Sequence, residues 1–75
     1  ALGIFTPSPA PDGTTTVFTL PFGYIGGSTR VFKNGYLLTR GIDYTETDNA
    51  AGTITFTSPP AAIDVLLVET LTLTA

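Results

Sequence analysis

The chain has 75 residues and a net charge of −3, with three basic and six acidic residues and neither Cys nor His. A domain this small buries only about three-fifths of the surface its unfolded chain exposes. Disulfides and Cys/His metal centres are excluded as reinforcements, so association is the remaining one. With Arg30, Lys33 and Arg40 as the only cations, no basic stripe can track phosphates, and nucleic-acid binding is not expected. Neither a charged leader followed by an apolar segment nor an 18-residue apolar run is present, so no membrane span is expected either. An initial Ala with no Met anywhere fits a short complete chain that has lost its initiator Met. Charged residues make up 12% of the chain, about half the usual share. Such a weakly charged, Thr-rich surface is expected where neighbours cover much of it.

In chain order, residues 1–13 read ALGIFTPSPAPDG, with Pro7, Pro9 and Pro11 each lacking an amide donor and holding its predecessor extended. This predicts an extended arm with a reach of about 35 to 40 Å in polyproline II form. Leu2, Ile4 and Phe5 then pack either on the chain's own core or on a neighbour. Residues 14–22 are predicted to form a strand that ends at Pro21. Gly23 to Gly27 form a loop in which Tyr24 and Ile25 plug the core. Arg30 to Thr45, RVFKNGYLLTRGIDYT, carries the clearest signal. Two strand-like runs flank Asn34-Gly35, the dipeptide that accepts positive φ at both central positions of a type I′ turn. Lys33 then faces Tyr36, Phe32 faces Leu37 and Val31 faces Leu38. Both faces of this hairpin are apolar, so at least one of them needs cover. After the break at Arg40-Gly41, a second hairpin is predicted to join residues 42–47 to the alternating run Thr53 to Thr57, TITFT. Residues 58–62 cross to Val65–Val68, whose continuous apolar character predicts a central strand or one covered on both faces. Leu71 and Leu73 alternate with Thr in a short tail, 71–75, that can pair with an edge of this chain or of a neighbour. The fold expected is all-β: a small antiparallel β-sandwich or open barrel of about six short strands over residues 14–70, with the arm before it and the tail after it.

Candidate chemistry is sparse. Without His or Cys the usual nucleophile and base pairings cannot be assembled. Asp43, Glu46 and Asp48 are near enough in sequence to consider a carboxylate pair or a Ca²⁺ site. Asp43 and Glu46 have opposite strand parity, however, and the spacing matches no Ca²⁺ loop. Turn solvation is the expected role of these acids, with Asp43 accepting amides near Gly41 and Asp48 opening the next turn. No enzyme activity, metal or cofactor is expected. Arg30 and Arg40 are expected to pair with acids on adjacent strands or on a partner. Tyr24, Tyr36 and Tyr44 are expected to pack in the core or on hairpin faces, in preference to forming a sugar-stacking platform.

The string from Val31 to Thr45, followed by Gly52-Thr53-Ile54-Thr55-Phe56 and Ala61-Ala62-Ile63-Asp64-Val65-Leu66, resembles a β-module of tailed-bacteriophage virion proteins. Similar segments occur in tail fibres, tail appendages and capsid decoration proteins, and the resemblance covers about residues 14 to 68. It implies a structural virion protein. No coiled-coil heptad, collagen-like repeat or shaft repeat is present and no receptor-binding tip domain follows Val68, so the chain departs from the tail-fibre pattern. What the resemblance then implies is a capsid decoration (cement) protein on the outer surface of the head. Its partners would be the major capsid protein and further copies of itself, as a homotrimer, and it would hold neighbouring capsomers together. A tail-fibre or tail-appendage module for host attachment is the alternative. On the decoration reading, the partner-binding residues expected are Leu2, Ile4, Phe5, Pro7, Pro9 and Pro11 in the arm and Leu71 and Leu73 in the tail, with Asn34 and Gly35 as the structural turn.

Overall fold

A computed structural model describes residues 2–73 of the chain, and these form seven short strands and no helix. The strands are β1 (Leu2–Phe5), β2 (Val17–Thr19), β3 (Arg30–Lys33), β4 (Tyr36–Leu37), β5 (Tyr44–Asp48), β6 (Thr53–Phe56) and β7 (Leu66–Leu71). They build two antiparallel sheets, one ordered β1-β7-β3-β4 and the other β2-β6-β5. The all-β antiparallel fold expected, a sandwich or open barrel of about six strands, is adopted as two sheets with seven strands.

The β3–β4 hairpin has the predicted register, with Phe32 opposite Leu37 and Lys33 opposite Tyr36. Asn34 (φ +54°) and Gly35 (φ +85°) both take positive φ, as a type I′ turn requires. The Asn34 side chain also has a second role. Its Nδ2 donates to Asp64 Oδ1 at 2.9 Å and its Oδ1 accepts from the Val65 amide at 2.8 Å, so the turn is fastened to the start of β7. In the second hairpin β5 begins at Tyr44, later than predicted. Residues 39–43 close a tight turn instead, in which the Asp43 amide donates to Thr39 O and the Thr39 amide to Asp43 Oδ2, both at 2.8 Å. Ile42 is therefore 70% exposed on a turn and does not line the core beside Tyr44. Gly52 closes the β5–β6 turn at φ +82°, and a Cβ there would lie 2.5 Å from the Phe22 carbonyl oxygen, so both conformation and space require glycine.

The core lies between the sheets. Phe18, Leu20, Tyr24, Val31, Tyr44, Ile54, Phe56, Leu66 and Val68 fill it, and the Phe18 and Phe56 rings meet edge to face with centroids 5.2 Å apart. The loop between β2 and β3 plugs the core with Tyr24 alone. Its hydroxyl donates to the Thr53 carbonyl at 2.6 Å, while Ile25 stays exposed. The strand expected over 14–22 is confined to Val17–Thr19; the Leu20 amide still donates to Gly52 O at 2.8 Å, one step beyond the Thr19↔Thr53 pair, and Pro21, with no amide to give, follows.

Two alternatives that the sequence left open are resolved within the chain. Leu2–Phe5 pairs with β7 through a four-residue register, and Phe5 turns inward against the core and the Phe22 ring. The physical reason is that the prolines begin only at Pro7. Of the six residues before them, Leu2–Phe5 can give their amides to a ladder and complete the sheet beside β7, which would otherwise be an edge. Beyond Phe5 the chain crosses to the other sheet. Ser8 and Thr19 exchange amide–carbonyl bonds of 2.9 and 2.7 Å, and the Gly13 amide reaches Pro60 O at 2.8 Å. Pro7 is buried in this crossing, whereas Pro9 is exposed. The C-terminal segment likewise pairs within its own chain. Leu71 belongs to β7, Thr72 bridges to Tyr24, and the Leu73 amide donates to Gly23 O at 2.9 Å. The expected arm and tail also include Ala1, Thr74 and Ala75, which lie outside the described residues.

Candidate functional site

Each sheet has one face in the core and one facing outward, and the two outward faces differ sharply. On the three-stranded sheet, Phe18, Tyr44, Ile54 and Phe56 point inward. The alternate positions are Thr19, Thr45, Thr53 and Thr55 with Val17, in the register Val17↔Thr55↔Thr45 and Thr19↔Thr53. Thr47 and Thr55 are joined through their hydroxyls at 2.5 Å. This face is β-prone and hydrated.

The four-stranded sheet presents the opposite chemistry. Leu66, Val68 and Thr70 of β7 are buried, so Leu67, Glu69 and Leu71 face out. Register then brings Leu2 beside Leu71 and Ile4 beside Glu69 on one flank. On the other flank it brings Arg30 beside Glu69 and Phe32 beside Leu67, with Leu37 next to Phe32. Val65 continues the outward row one residue before the strand. Leu2, Ile4, Leu37 and Val65 are each at least 60% exposed and Leu67 and Leu71 each 41%. At about 100 Å² apiece these six aliphatic side chains expose roughly 600 Å², the upper end of what a monomer ordinarily leaves in water. One ion pair lies within this face, Arg30 Nη1 to Glu69 Oε1 at 3.5 Å. Depressions of about 510 and 430 Å³ border it at its two ends. The first is lined by Leu2, Leu71, Arg30 and Arg40 and the second by Val65, Leu67 and residues of the 6–11 crossing.

The carboxylates considered for chemistry are separated and committed to backbone. Asp43 accepts from Thr39, Asp48 accepts from the Ala51 amide at 3.1 Å, and Glu46 accepts from the Gly27 amide at 2.7 Å and from the Thr29 hydroxyl. Among the described residues no group of three or more metal-ligating side chains occurs, and every buried side-chain N or O has a hydrogen-bond partner. Asp12 lies well below the usual carboxylate range because the Thr15 and Thr14 amides both donate to it. Asp64 is lowered chiefly by the Asn34 amide donor and then by the Ala61 amide. Both are turn locks. Tyr24 is pushed up to about 12, first by burial and then by the negative charges of Glu46 and Asp48. Tyr24 and Tyr44 are core residues and Tyr36 is exposed alone at a hairpin end, so the three tyrosines form no stacking platform. Arg40 donates to the Thr29 carbonyl at 3.2 Å.

Of the residues anticipated as partner-binding, Leu2, Ile4 and Leu71 come together on the outward face, while Phe5 and Pro7 are used internally. Leu37, Val65 and Leu67 belong to the same face and were not anticipated. The signal for Leu37 lies in the hairpin, whose two apolar faces call for cover, and that for Val65 and Leu67 in the Val65–Val68 run, where a continuous apolar stretch leaves one alternate set without an internal partner. Comparison with family models, with curated proteins and with solved structures gave no match for the chain.

Proposed function

We propose that this chain is a structural component of a tailed-phage virion, a decoration (cement) protein that acts by association on the assembled head and stabilises contacts between neighbouring capsomers. The observation that carries the reading is the uncovered apolar face of the four-stranded sheet. A domain without cysteine or histidine leaves roughly 600 Å² of aliphatic surface in water on one side while threonines clothe the other. Such asymmetry supports a building block with a defined contact side, and the phage-module resemblance supplies the setting. The mechanism is mass action: a protein that binds the assembled shell and not its dissociated subunits stabilises the shell by the binding free energy at each site.

The test is co-sedimentation of purified protein with assembled undecorated shells and with dissociated shell subunits, together with its copy number per particle. The reading expects saturable binding to shells alone and hundreds of copies on the head. Absence from the head, with density confined to the tail, would favour the attachment-module alternative and refute decoration.

A further inference from the structure

We propose that the outward face of the four-stranded sheet is closed by a second copy of the same chain, stacked face to face about a two-fold axis. The inference rests on the same apolar face as the association reading, and it goes further by naming the occupant.

Three observations select a second copy. First, size: the aliphatic surface on this face, together with Arg30, Glu69 and the partly covered Phe32, approaches the roughly 800 Å² that each partner contributes to a stable interface of standard size. Second, charge: the chain as a whole is acidic and would repel itself, yet this face is not. Asp12, Asp43, Glu46 and Asp48 are all held by loops, turns or the other sheet, and Asp64 is fastened at the rim by Asn34. Among the described residues the charges within the face are Arg30 and Glu69, side by side at 3.5 Å, with Arg40 at its edge where it donates to the Thr29 carbonyl. A face bearing one charge of each sign next to the other is complementary to itself, because a two-fold axis near that pair sets each Arg30 against Glu69 of the other copy. An isologous contact needs that property. Third, shape: the face is built by alternation on β1, β7, β3 and β4. Aliphatic side chains standing on two such pleated surfaces interdigitate at the usual sheet-to-sheet spacing of about 10 Å. The threonine face of the other sheet offers no equivalent, which makes the expected assembly a closed dimer in place of the homotrimer that the phage resemblance implied.

Sedimentation equilibrium of the purified full-length protein from roughly 1 to 100 µM tests this. The wild type is expected at twice the protomer mass over the upper part of that range. Leu67→Glu and, separately, Ile4→Lys place unpaired charges in the face and are expected to weaken the dimer at least roughly 100-fold, with circular dichroism unchanged. Thr55→Glu on the opposite sheet is expected to leave it intact. A wild type that stays monomeric throughout, or a dimer indifferent to both face variants, overturns the proposal. Either result is separable from the virion reading. A monomer that still binds shells through this face assigns the face to the shell, and a dimer that ignores shells keeps the second copy and removes the decoration role.

Discussion

Asn34 shows how one residue type is selected twice. Its backbone meets the positive φ of the turn, and its amide group spans to Asp64 and Val65, joining the hairpin to the strand beside it. Asn34→Gly keeps the turn and discards the link, so its urea midpoint is expected to fall while the m-value stays constant, a pure loss of native contacts. Tyr24→Phe removes the hydroxyl that satisfies the Thr53 carbonyl beneath the plug, and is expected to cost about 1 to 3 kcal/mol in the same measurement. The ionisable groups bound the pH range from both sides. Asp12 and Asp64 have lowered values in the fold, so their stabilisation is complete above their ordinary value of 3.8 and is lost as pH falls through the lowered ones. Tyr24 has a raised value, so its contribution is complete below its ordinary 10.0 and is lost as pH climbs toward about 12. Stability followed by denaturant titration should therefore be flat across neutral pH, fall below about pH 4 and fall again above about pH 10. A maximum near the isoelectric point would contradict this.

At the scale of elements, β7 shows both how far the sequence can be read and where reading stops. The Asn-Gly hairpin and the Thr-flanked TITF strand are legible because their turn chemistry and strict alternation are local. The Val65–Val68 run is legible as central, and β7 does lie between β1 and β3. Whether such a run is covered on one face or two depends on what lies beyond the sheet, and periodicity carries no information about that. Nor could it show that the N terminus supplies β1, because the three prolines mask the four residues before them. Adjacent residues on β7 make the distinction measurable in dilute solution. Val68→Ala removes volume from the core and is expected to cost about 2 kcal/mol, whereas Leu67→Ala at low protein concentration should stay within about 0.5 kcal/mol of wild type. Deleting residues 2–5 should also lower stability, since it uncovers β7 and removes the Phe5 ring from the core. An unchanged melting curve would contradict a stabilising role for β1 in the sheet.

For the molecule as a whole, the two outward faces divide the labour. Threonines line the outward side of one sheet, and exposed aliphatic side chains with the Arg30–Glu69 ion pair line the other, the face proposed here to make contact. Burying roughly 600 Å² of apolar surface on each partner corresponds to about 15 kcal/mol of gross hydrophobic gain per copy, set against an association cost of about 4 to 15 kcal/mol or more, so the face favours association without fixing an affinity. Stability should therefore rise with protein concentration, as mass action requires of a folded state completed by association. The absence of Cys makes the central claim directly accessible, because any cysteine introduced is unique. Thiol-labelling rates of Leu67→Cys and Thr55→Cys, compared in dilute and in concentrated or shell-bound protein, report which face is covered. Leu67→Cys is predicted to label more slowly on assembly while the rate at the half-buried Thr55→Cys stays the same in both states. An unchanged Leu67→Cys rate on assembly, or equal slowing at both positions, would contradict this.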